Sequence, residues 1–541
     1  MGPKLANNID CTDVNGDFTD YLKDIDSSKS MFIQPTCETE IVNIVNKFAN
    51  KTSADYCGMN MKLVKSIIGC IVKPITYICN LSLKSGIFPN KMKVAKVIPI
   101  FKAGDIHSVS NYRPVSILPQ LSKVIEKLFE VRLRKYIDSH NFFFSGQYGF
   151  RTSHSTSLAL NEMVDMIVNA IDCNKYSIGV FIDLKKAFDT VNHELLIKKF
   201  KYYGIRGPAS QFIQSYLSNR KQYVQYKDHK SSEMGILCGV PQGSILGPLL
   251  FLLYINDMYK VSKLLHFIIF ADDTNIFYLH NDPVELIRVV NKELVKLNIW
   301  FKINKLSLNV DKSNYMLFGK KCSQINEVIL NGALLSQVSV TKFLGVNIDS
   351  GFIWDKHINT VKRKLYNVIG MLYRIKDKVE TETLITIYNT LMLPHLSYCC
   401  EIWGNTFVSR LHDIIILQKR AIRLICNVDC RAHTSPLFKK YRILKFYDLI
   451  KFNSCMIMFK ASNNLLPKNV QANFIKNKEI HSYGTRNREK LHVRNVKSHI
   501  KYISVNNQGV KLWNGLDEKI RSCVSLNLFK KRLKISLLNH I

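Results

Sequence analysis

The chain has 541 residues, of which 76 are Lys or Arg and 42 are Asp or Glu, so its formal net charge is +34 at pH 7. Because 47% of the residues are hydrophobic, the chain is not a disordered basic tail, and its length allows several subdomains with cores of their own. The positive balance on such a chain predicts a polyanionic partner, either nucleic acid or an anionic membrane.

The first 45 residues are polar and mildly acidic and show little periodicity. Residues 46–95 are predicted to form a helical N-terminal extension, in which the stretch 64–72 is apolar enough to pack against another element. A turn at 84–89, which contains Gly and Pro, ends this extension.

A predicted β-hairpin follows, with strands at 96–101 and 112–117 joined by a polar loop. One cation lies on each arm, Lys102 on the first and Arg113 on the second. The next predicted element is a helix that includes residues 122–130 and has its apolar side chains on one face.

An apolar strand at 178–182 ends in a carboxylate, Asp183, and leads into a helical segment that stops near Gly204. Further along, a glycine-rich loop at 239–248 opens an apolar helix.

Two more apolar runs, 264–269 and 276–278, predict a hairpin whose turn carries adjacent carboxylates, Asp272 and Asp273. Adjacent acids repel, and desolvating them is costly unless a cation is present. The turn is therefore a candidate for a divalent metal held by oxygen ligands, and a solvated Asp-Asp turn is the commoner alternative.

Three short sequences now stand in a fixed order: Asp-x-x-x-x-Phe at 183–188, Pro-Gln-Gly at 241–243 and Phe-Ala-Asp-Asp at 270–273. This order resembles the palm of reverse transcriptases. The surrounding sequence most closely resembles LINE-like (non-long-terminal-repeat) retrotransposons of the jockey-like group. The resemblance extends from about residue 60 to the end of the chain and is most specific between residues 96 and 346.

Helices are predicted beyond residue 350, with apolar residues at helical spacing and cations on the other faces. The first contains Ile358, Val361, Leu365, Val368 and Leu372, the second stops at Pro394, and the third contains Leu411, Ile414, Leu417, Ala421 and Leu424. The basic faces suit a nucleic-acid backbone, although many individual cations on such helices are only solvated.

The resemblance implies an α+β fold of the right-hand polymerase type, with fingers, a ferredoxin-like palm and a helical thumb, followed by a basic helical C-terminal region. The corresponding domains are a polar connector at 1–45, the helical extension at 46–95, fingers and palm at 96–350, a thumb-like region at 351–470 and the basic C-terminal region at 471–541.

The resemblance also implies the catalytic residues. Asp183, Asp272 and Asp273 would hold two Mg²⁺ ions, with the backbone carbonyl of Leu184 completing a metal shell. Lys312 is the candidate general acid for the leaving pyrophosphate, with a surface lysine as the alternative.

For the nucleotide, the resemblance implies that Lys102 and Arg113 contact the triphosphate, because a planar guanidinium binds two oxygens together. Phe188 would lie under the sugar and exclude a 2′-hydroxyl, with a core phenylalanine as the alternative. Gln242 would contact the incoming nucleotide, and Gly243 would leave room beside it.

For the primer and template, Arg151 in the Gln-Tyr-Gly-Phe-Arg turn at 147–151 is a candidate phosphate contact, with a structural role as the alternative. The predicted hairpin around Phe343, Leu344 and Gly345 resembles the primer grip, which positions the primer terminus.

The implied function is an RNA-directed DNA polymerase that adds deoxynucleoside triphosphates to a DNA primer, or to nicked target DNA, on an RNA template. We expect it in the nucleus and cytoplasm, with no membrane partner, because no apolar run reaches the roughly eighteen residues of a spanning helix. No endonuclease sequence precedes the connector, so we expect a truncated product or a partial reading frame whose nicking activity comes from elsewhere.

Two alternatives remain open. The chain could be a catalytically silent, nucleic-acid-binding remnant of a transposon, which the intact acids Asp183, Asp272 and Asp273 oppose. It could also be a group II intron-type maturase or a telomerase-like enzyme, which would share the palm but not the jockey-like C-terminal sequence.

The fourteen cysteines show no repeating spacing, and a chain of this length does not depend on disulfides, so reduced thiols are expected. One group, Cys426, Cys430 and His433, has spacing that could bind zinc, but no fourth ligand follows closely. Ordinary thiols are the commoner alternative for this group.

Overall fold

The structure is a computed structural model, and it describes residues 16–23, 28–319, 327–480, 483 and 487–539. A central β-sheet separates two hydrophobic cores, and strand β3 (Tyr176–Ile182) contributes to both. Ile178, Val180 and Ile182 lie in the first core, with the N-terminal helices. Phe181 lies in the second core, with the C-terminal helices. This division follows from the alternation of side chains along a strand.

Two helices form the N-terminal part, α1 (Glu38–Lys47) and α2 (Met61–Ser85). Helix α2 begins where the Asn60 side chain accepts a hydrogen bond from the Leu63 N–H, and it ends at Gly86, whose φ of 68° is in the left-handed region. The predicted boundary at residue 45 falls inside α1.

By length and composition alone, α2 could cross a membrane, and it is the one such helix in the part of the chain that the structure describes. One third of its most apolar 18-residue window is buried in the protein. Val64, Ile68 and Val72 belong to the first core, so the predicted packing of this stretch is confirmed.

The first sheet contains the predicted hairpin, with strands β1 (Val94–Phe101) and β2 (Tyr112–Ile117) paired antiparallel. Three later strands extend it: β4 (Arg220–Tyr226), β5 (His229–Lys230) and β6 (Met234–Ile236). The strand order is β2-β1-β4-β5, with β6 also paired to β4. Strand β1 pairs with β4 in parallel, across more than one hundred residues of sequence.

The central sheet has the order β12-β9-β3-β8-β7. Its other strands are β7 (His266–Phe270), β8 (Asp273–His280), β9 (Asn314–Phe318) and β12 (Ser336–Gln337). Two small hairpins come after β9 in the chain. They pair β10 (Ile329–Leu330) with β11 (Ala333–Leu334), and β13 (Val340–Phe343) with β14 (Val346–Asp349).

Six helices connect the strands of the two sheets. They are α3 (Gln120–Ser139), α4 (Thr156–Asp172), α5 (His193–Tyr202), α6 (Gly207–Leu217), α7 (Leu246–Ile255) and α8 (Pro283–Ile303). The predicted helices at 122–130 and after the glycine-rich loop are confirmed as α3 and α7. Together with the sheets, these helices give a mixed α+β architecture.

The rest of the chain is helical. The helices are α9 (Asp355–Ile375), α10 (Thr381–Ile387), α11 (Leu393–Ser397), α12 (Cys400–Trp403), α13 (Val408–Ile425), α14 (Ser435–Lys440), α15 (Phe446–Ser462), α16 (Lys468–Gln471), α17 (His499–Ile503), α18 (Val505–Asn514), α19 (Glu518–Arg521) and α20 (Leu526–Asn539). The predicted apolar face of α9 is buried. The prediction that a helix stops at Pro394 is wrong. Pro394 lies in the first turn of α11, where the missing N–H of proline costs little.

The C-terminal helices dock on α4 beside the central sheet. Lys501 forms a buried ion pair with Asp165, with Nζ and Oδ1 2.6 Å apart, and the Ser498 N–H donates to Asp172 Oδ1. The predicted boundary at 470 therefore lies within one continuous core. All of the predicted domain boundaries stay predictions.

Candidate active site

The three predicted acids lie at one end of the central sheet. Strands β7 and β8 pair antiparallel, with Phe270 opposite Asp273, so Ala271 and Asp272 form the turn. Ala271 adopts a φ of 57° there. Strand β3 pairs with β8 through Ile182 and Thr274, which brings Asp183 beside Asp273. The predicted acidic hairpin is confirmed.

Burial and nearby carboxylates raise the pKa values of Asp272 and Asp273. Burial raises the pKa of Asp272, and the nearby Asp183 carboxylate raises it further, while the charges of Arg113 and Lys102 oppose the shift. Although part of Asp273 reaches solvent, the walls of the cleft desolvate its carboxyl group. This desolvation, together with Asp272 and Asp183, raises the Asp273 pKa to about 6. The ionised forms of these two acids are therefore unfavourable unless a cation is bound beside them.

Asp183 is held by two residues that follow α8. Asn309 Nδ2 donates to Asp183 Oδ2 at 2.7 Å, and the Asn309 N–H donates to the Asp183 carbonyl at 2.9 Å. The Asp183 N–H donates to Ser313 Oγ at 3.1 Å. Sequence reasoning gave neither residue a role, although both belong to the segment that contains Lys312.

Carboxylate oxygens are the ligands that Mg²⁺ prefers, so the chemistry of the three acids fits this ion. Among the residues that the structure describes, no three His, Cys, Asp or Glu side chains converge as a ready-made ligand set. The fit therefore rests on the kinds of ligand present and on the raised pKa values of Asp272 and Asp273.

The turn at 147–151 packs against the acidic hairpin and forms a hydrogen bond with it. Gln147 Oε1 accepts from the Ala271 N–H at 3.1 Å and from the Gly149 N–H at 2.8 Å. A Cβ on Gly149 would lie 2.4 Å from the Ala271 nitrogen, so a glycine is required for this close approach. The role of Gln147 was not predicted from the sequence.

The loop that carries Gln242 and Gly243 packs against the hairpin of the first sheet. The Ser116 N–H donates to the Gln242 carbonyl at 2.8 Å. Gly243 has a φ of 116°, and a Cβ there would lie 2.6 Å from the Ser116 carbonyl oxygen. Gln242 Nε2 donates to Asp189 Oδ1 at 2.8 Å. At the start of helix α7, which follows the loop, the Ile245 N–H donates to Oε2 of the buried Glu126 of α3 at 2.8 Å.

Comparison with known proteins gives a family match. Residues 100–348 match the model of the family described as reverse transcriptase (RNA-dependent DNA polymerase). This stretch, 249 of the 541 residues, is similar to reverse transcriptases. The matched residues include the three acids, the glycine-rich loop and both cations of the first hairpin, Lys102 and Arg113.

Three relatives from Drosophila melanogaster match about three quarters of this chain. The chain is 27% identical to the probable RNA-directed DNA polymerase from transposon X-element, over 78% of this chain and 48% of that protein. It is 30% identical to the probable RNA-directed DNA polymerase from transposon BS, over 74% and 45%. It is 26% identical to the RNA-directed DNA polymerase from mobile element jockey, over 76% and 46%. The chain thus spans about half the length of these relatives, and the predicted resemblance to jockey-like reverse transcriptases is confirmed.

The candidate nucleotide-binding residues differ in their exposure and contacts. Lys102 and Arg113 are exposed, and neither forms an ion pair with a described residue, although both lower the pKa of Asp272. Phe188 is half-buried and stacks on Phe251, with ring centroids 4.3 Å apart. Leu184 is buried, and its backbone bridges to Leu308.

The candidate template and primer residues occupy different environments. Arg151 is half-buried, and its Nη1 donates to the carbonyls of Phe144 at 2.7 Å and Gln147 at 3.1 Å. These contacts favour the structural role over the phosphate contact. The predicted hairpin around 344 is confirmed as β13–β14. Its Phe343 is a core residue, while Leu344 and Gly345 form the turn.

The remaining predicted residues are the candidate general acid, Lys312, and the candidate zinc ligands, Cys426, Cys430 and His433. Lys312 is exposed, in the short 3₁₀ turn Val310–Lys312 that follows Asn309. Cys426 is partly buried and Cys430 is exposed, and they are not part of a metal-ligand cluster in the described part of the chain. Zinc binding by Cys426, Cys430 and His433 stays untested.

Proposed function

We propose that the chain is an RNA-directed DNA polymerase of a non-LTR retrotransposon, which extends a DNA primer with deoxynucleotides on an RNA template. The observation that carries this proposal is the joint placement of Asp183, Asp272 and Asp273 at one end of the central sheet, within the residues that match the reverse transcriptase family. In this proposal the first sheet is the fingers, the central sheet is the palm, and the helices from α9 onward are the thumb.

The reaction forms a bond between the primer 3′-oxygen and the α-phosphorus of the nucleotide, and it breaks the bond from that phosphorus to pyrophosphate. Asp183, Asp272 and Asp273 would hold two Mg²⁺ ions. When bound, these ions lower the pKa of the 3′-hydroxyl and stabilise negative charge on the leaving group. Asn309 keeps the Asp183 carboxylate in place through its 2.7 Å hydrogen bond. Lys312 protonates the leaving pyrophosphate.

The nucleotide is bound between the two sheets. Lys102 and Arg113 come from the hairpin arms and bind its phosphates, which fits their exposure and their electrostatic coupling to the acids. Phe188, stacked on Phe251, excludes the 2′-hydroxyl. Gln242 exchanges its hydrogen bond with Asp189 for one with the nucleotide.

Primer extension tests the proposal. A labelled DNA primer annealed to an RNA template is incubated with deoxynucleotides and Mg²⁺, and parallel reactions contain EDTA or ribonucleotides. We expect extension with deoxynucleotides and Mg²⁺ alone. Failure of the wild-type protein to extend while it binds the template tightly would instead support the alternative of a silent nucleic-acid-binding remnant.

A further inference from the structure

A cavity of about 310 Å³ lies among the C-terminal helices, between α13, α14 and the start of α15. Its volume is at the lower end of the usual range for small-molecule sites. The core side chains Phe438 and Phe446 form part of its lining. None of the candidate catalytic, nucleotide, primer or template residues lines this cavity, so the proposed polymerase does not account for it.

The charged side chains that line the cavity are all cations. They are Lys419, Arg423, Arg431 and Lys445, and the imidazole of His433 lies among them. Within the described part of the chain, no Asp or Glu lines the cavity, and none of the four cations forms an ion pair. The uncompensated positive charge favours an anion as the occupant.

Two of these cations are fixed by neutral partners. Arg423 Nε donates to the Ala432 carbonyl at 2.9 Å, and Lys445 Nζ donates to Ser435 Oγ at 2.8 Å. Because the bond from Arg423 uses only Nε, the two terminal nitrogens of its guanidinium are left for a ligand. A planar guanidinium binds two oxygens of one phosphate together, and an ammonium adds a point charge.

A tyrosine in the lining has a hydroxyl without a partner. The Tyr447 Oη is buried and has no hydrogen-bond partner among the described residues. A buried hydroxyl in this state costs free energy, and an oxyanion in the cavity would satisfy it. The adjacent wall is rigid, because Gln418, which is 1% exposed, accepts from the Phe446 N–H at 2.9 Å and donates to the Leu444 carbonyl at 3.0 Å.

We infer that this cavity binds a phosphomonoester, the group present on a free nucleotide and at the phosphorylated end of a nucleic-acid strand. Arg423, Arg431 and Lys445 bind its oxygens, and the Tyr447 hydroxyl donates to one of them. A phosphodiester within a strand carries one charge and continues in two directions, whereas a phosphomonoester approaches two charges at pH 7. Four cations without an acid around one small cavity match the second group. The inference goes beyond the proposed polymerase and does not depend on it.

Two pairs of ligands test the inference on the full chain. Calorimetry compares adenosine 5′-monophosphate with adenosine, and fluorescence anisotropy compares a 3′-labelled oligonucleotide with a 5′-phosphate and the same strand with a 5′-hydroxyl. EDTA in all samples excludes metal-dependent nucleotide binding at the three acids. We expect the phosphate to tighten binding about tenfold in at least one pair. A gain with the monophosphate assigns the cavity to free nucleotides, and a gain with the oligonucleotide alone assigns it to strand ends.

Two variants locate the phosphate in the cavity. Arg423→Gln should reduce the gain from the phosphate about tenfold or more, since it removes a charged donor, and the matched control is Arg420→Gln, an exposed cation of α13 outside the cavity. Tyr447→Phe should also reduce the gain but should not lower the Tm, because its hydroxyl has no partner to lose. Tyr366→Phe, at an exposed tyrosine of α9, is its control. Both controls should retain the full gain.

Three results would overturn the inference. The first is equal affinity within both ligand pairs, which would show that no phosphomonoester is recognised. The second is a full gain in both Arg423→Gln and Tyr447→Phe, which would place the phosphate elsewhere. The third is an equal loss in Arg420→Gln and Arg423→Gln, which would assign the effect to the general charge of α13. Since none of these measurements involves primer extension, a chain that fails to extend primers leaves their outcome unaffected.

Discussion

The hydrogen bond between Asn309 and Asp183 predicts a large catalytic effect from a residue that touches no substrate. Asn309→Ala removes the 2.7 Å side-chain contact to the carboxylate but retains the backbone N–H that donates to the Asp183 carbonyl. A hydrogen bond to a charged group is worth about 1.5–3 kcal/mol. Without this stabilisation, the Asp183 carboxylate occupies its catalytic position in a smaller fraction of the molecules. We therefore expect kcat to decrease about 10- to 100-fold.

The assay is single-turnover primer extension, with template binding measured on the same samples. The affinity for RNA should remain that of the wild type, because Asn309 acts through Asp183. The control is Asn169→Ala, which removes a 3.1 Å hydrogen bond from an asparagine amide to a carboxylate, that of Asp165, away from the acids. Wild-type kcat in Asn309→Ala, or an equal loss in Asn169→Ala, would refute the reasoning.

Three other predictions concern acidity, sugar selection and charge. Because the folded pKa of Asp273 is raised to about 6, its ionisation destabilises the metal-free fold above that pH. Asp273→Asn should therefore raise the Tm in EDTA at pH 7, and the gain should shrink as the pH falls from 6 towards 4; a Tm difference independent of pH would contradict this. Phe188→Val should admit ribonucleotides in extension assays, whereas Phe188→Tyr should not; unchanged sugar selection in the valine variant would remove this residue as the barrier. Replacing the exposed Lys356, Arg363 and Lys364 of α9 with Gln should make the salt slope of primer–template binding shallower by about two to three, and an unaltered slope would argue against α9 as the binding surface.

The local elements of the site could be predicted because their signals are local. The acidic hairpin follows from two apolar runs around a polar turn, and α7 follows from an apolar run after a glycine-rich loop. The meeting of Asp183 with Asp272 is different, since 89 residues separate them in sequence. Only the resemblance to a family predicted that pair.

Long-range contacts of polar side chains could not be predicted. Asn309 meets Asp183 across 126 positions, and Gln147 meets Ala271 across 124. Amides serve turns, caps and solvent equally well, so their partners depend on the packing of whole elements. The parallel pairing of β1 with β4 and the docking of Lys501 on Asp165 depend on packing in the same way.

Arg151 shows how burial changes an interpretation of charge. The sequence suggested a phosphate contact or a structural role, because an arginine in a glycine-containing turn fits both. In the structure the guanidinium lies over the Phe143 ring, 5.1 Å from its centroid, and donates to backbone carbonyls. Desolvation lowers its pKa, which marks it as a group removed from water.

The central claim is that Asp183 and Asp272 form one catalytic centre for DNA synthesis on RNA. The most direct measurement is single-turnover extension by the wild-type protein, Asp183→Asn and Asp272→Asn, at saturating template and with RNA affinity determined for each. The account predicts that the wild type extends the primer and that each variant is slower by about a thousandfold, with unchanged RNA affinity. Extension at the wild-type rate by either variant, or no extension by a wild-type protein that binds RNA, would contradict it.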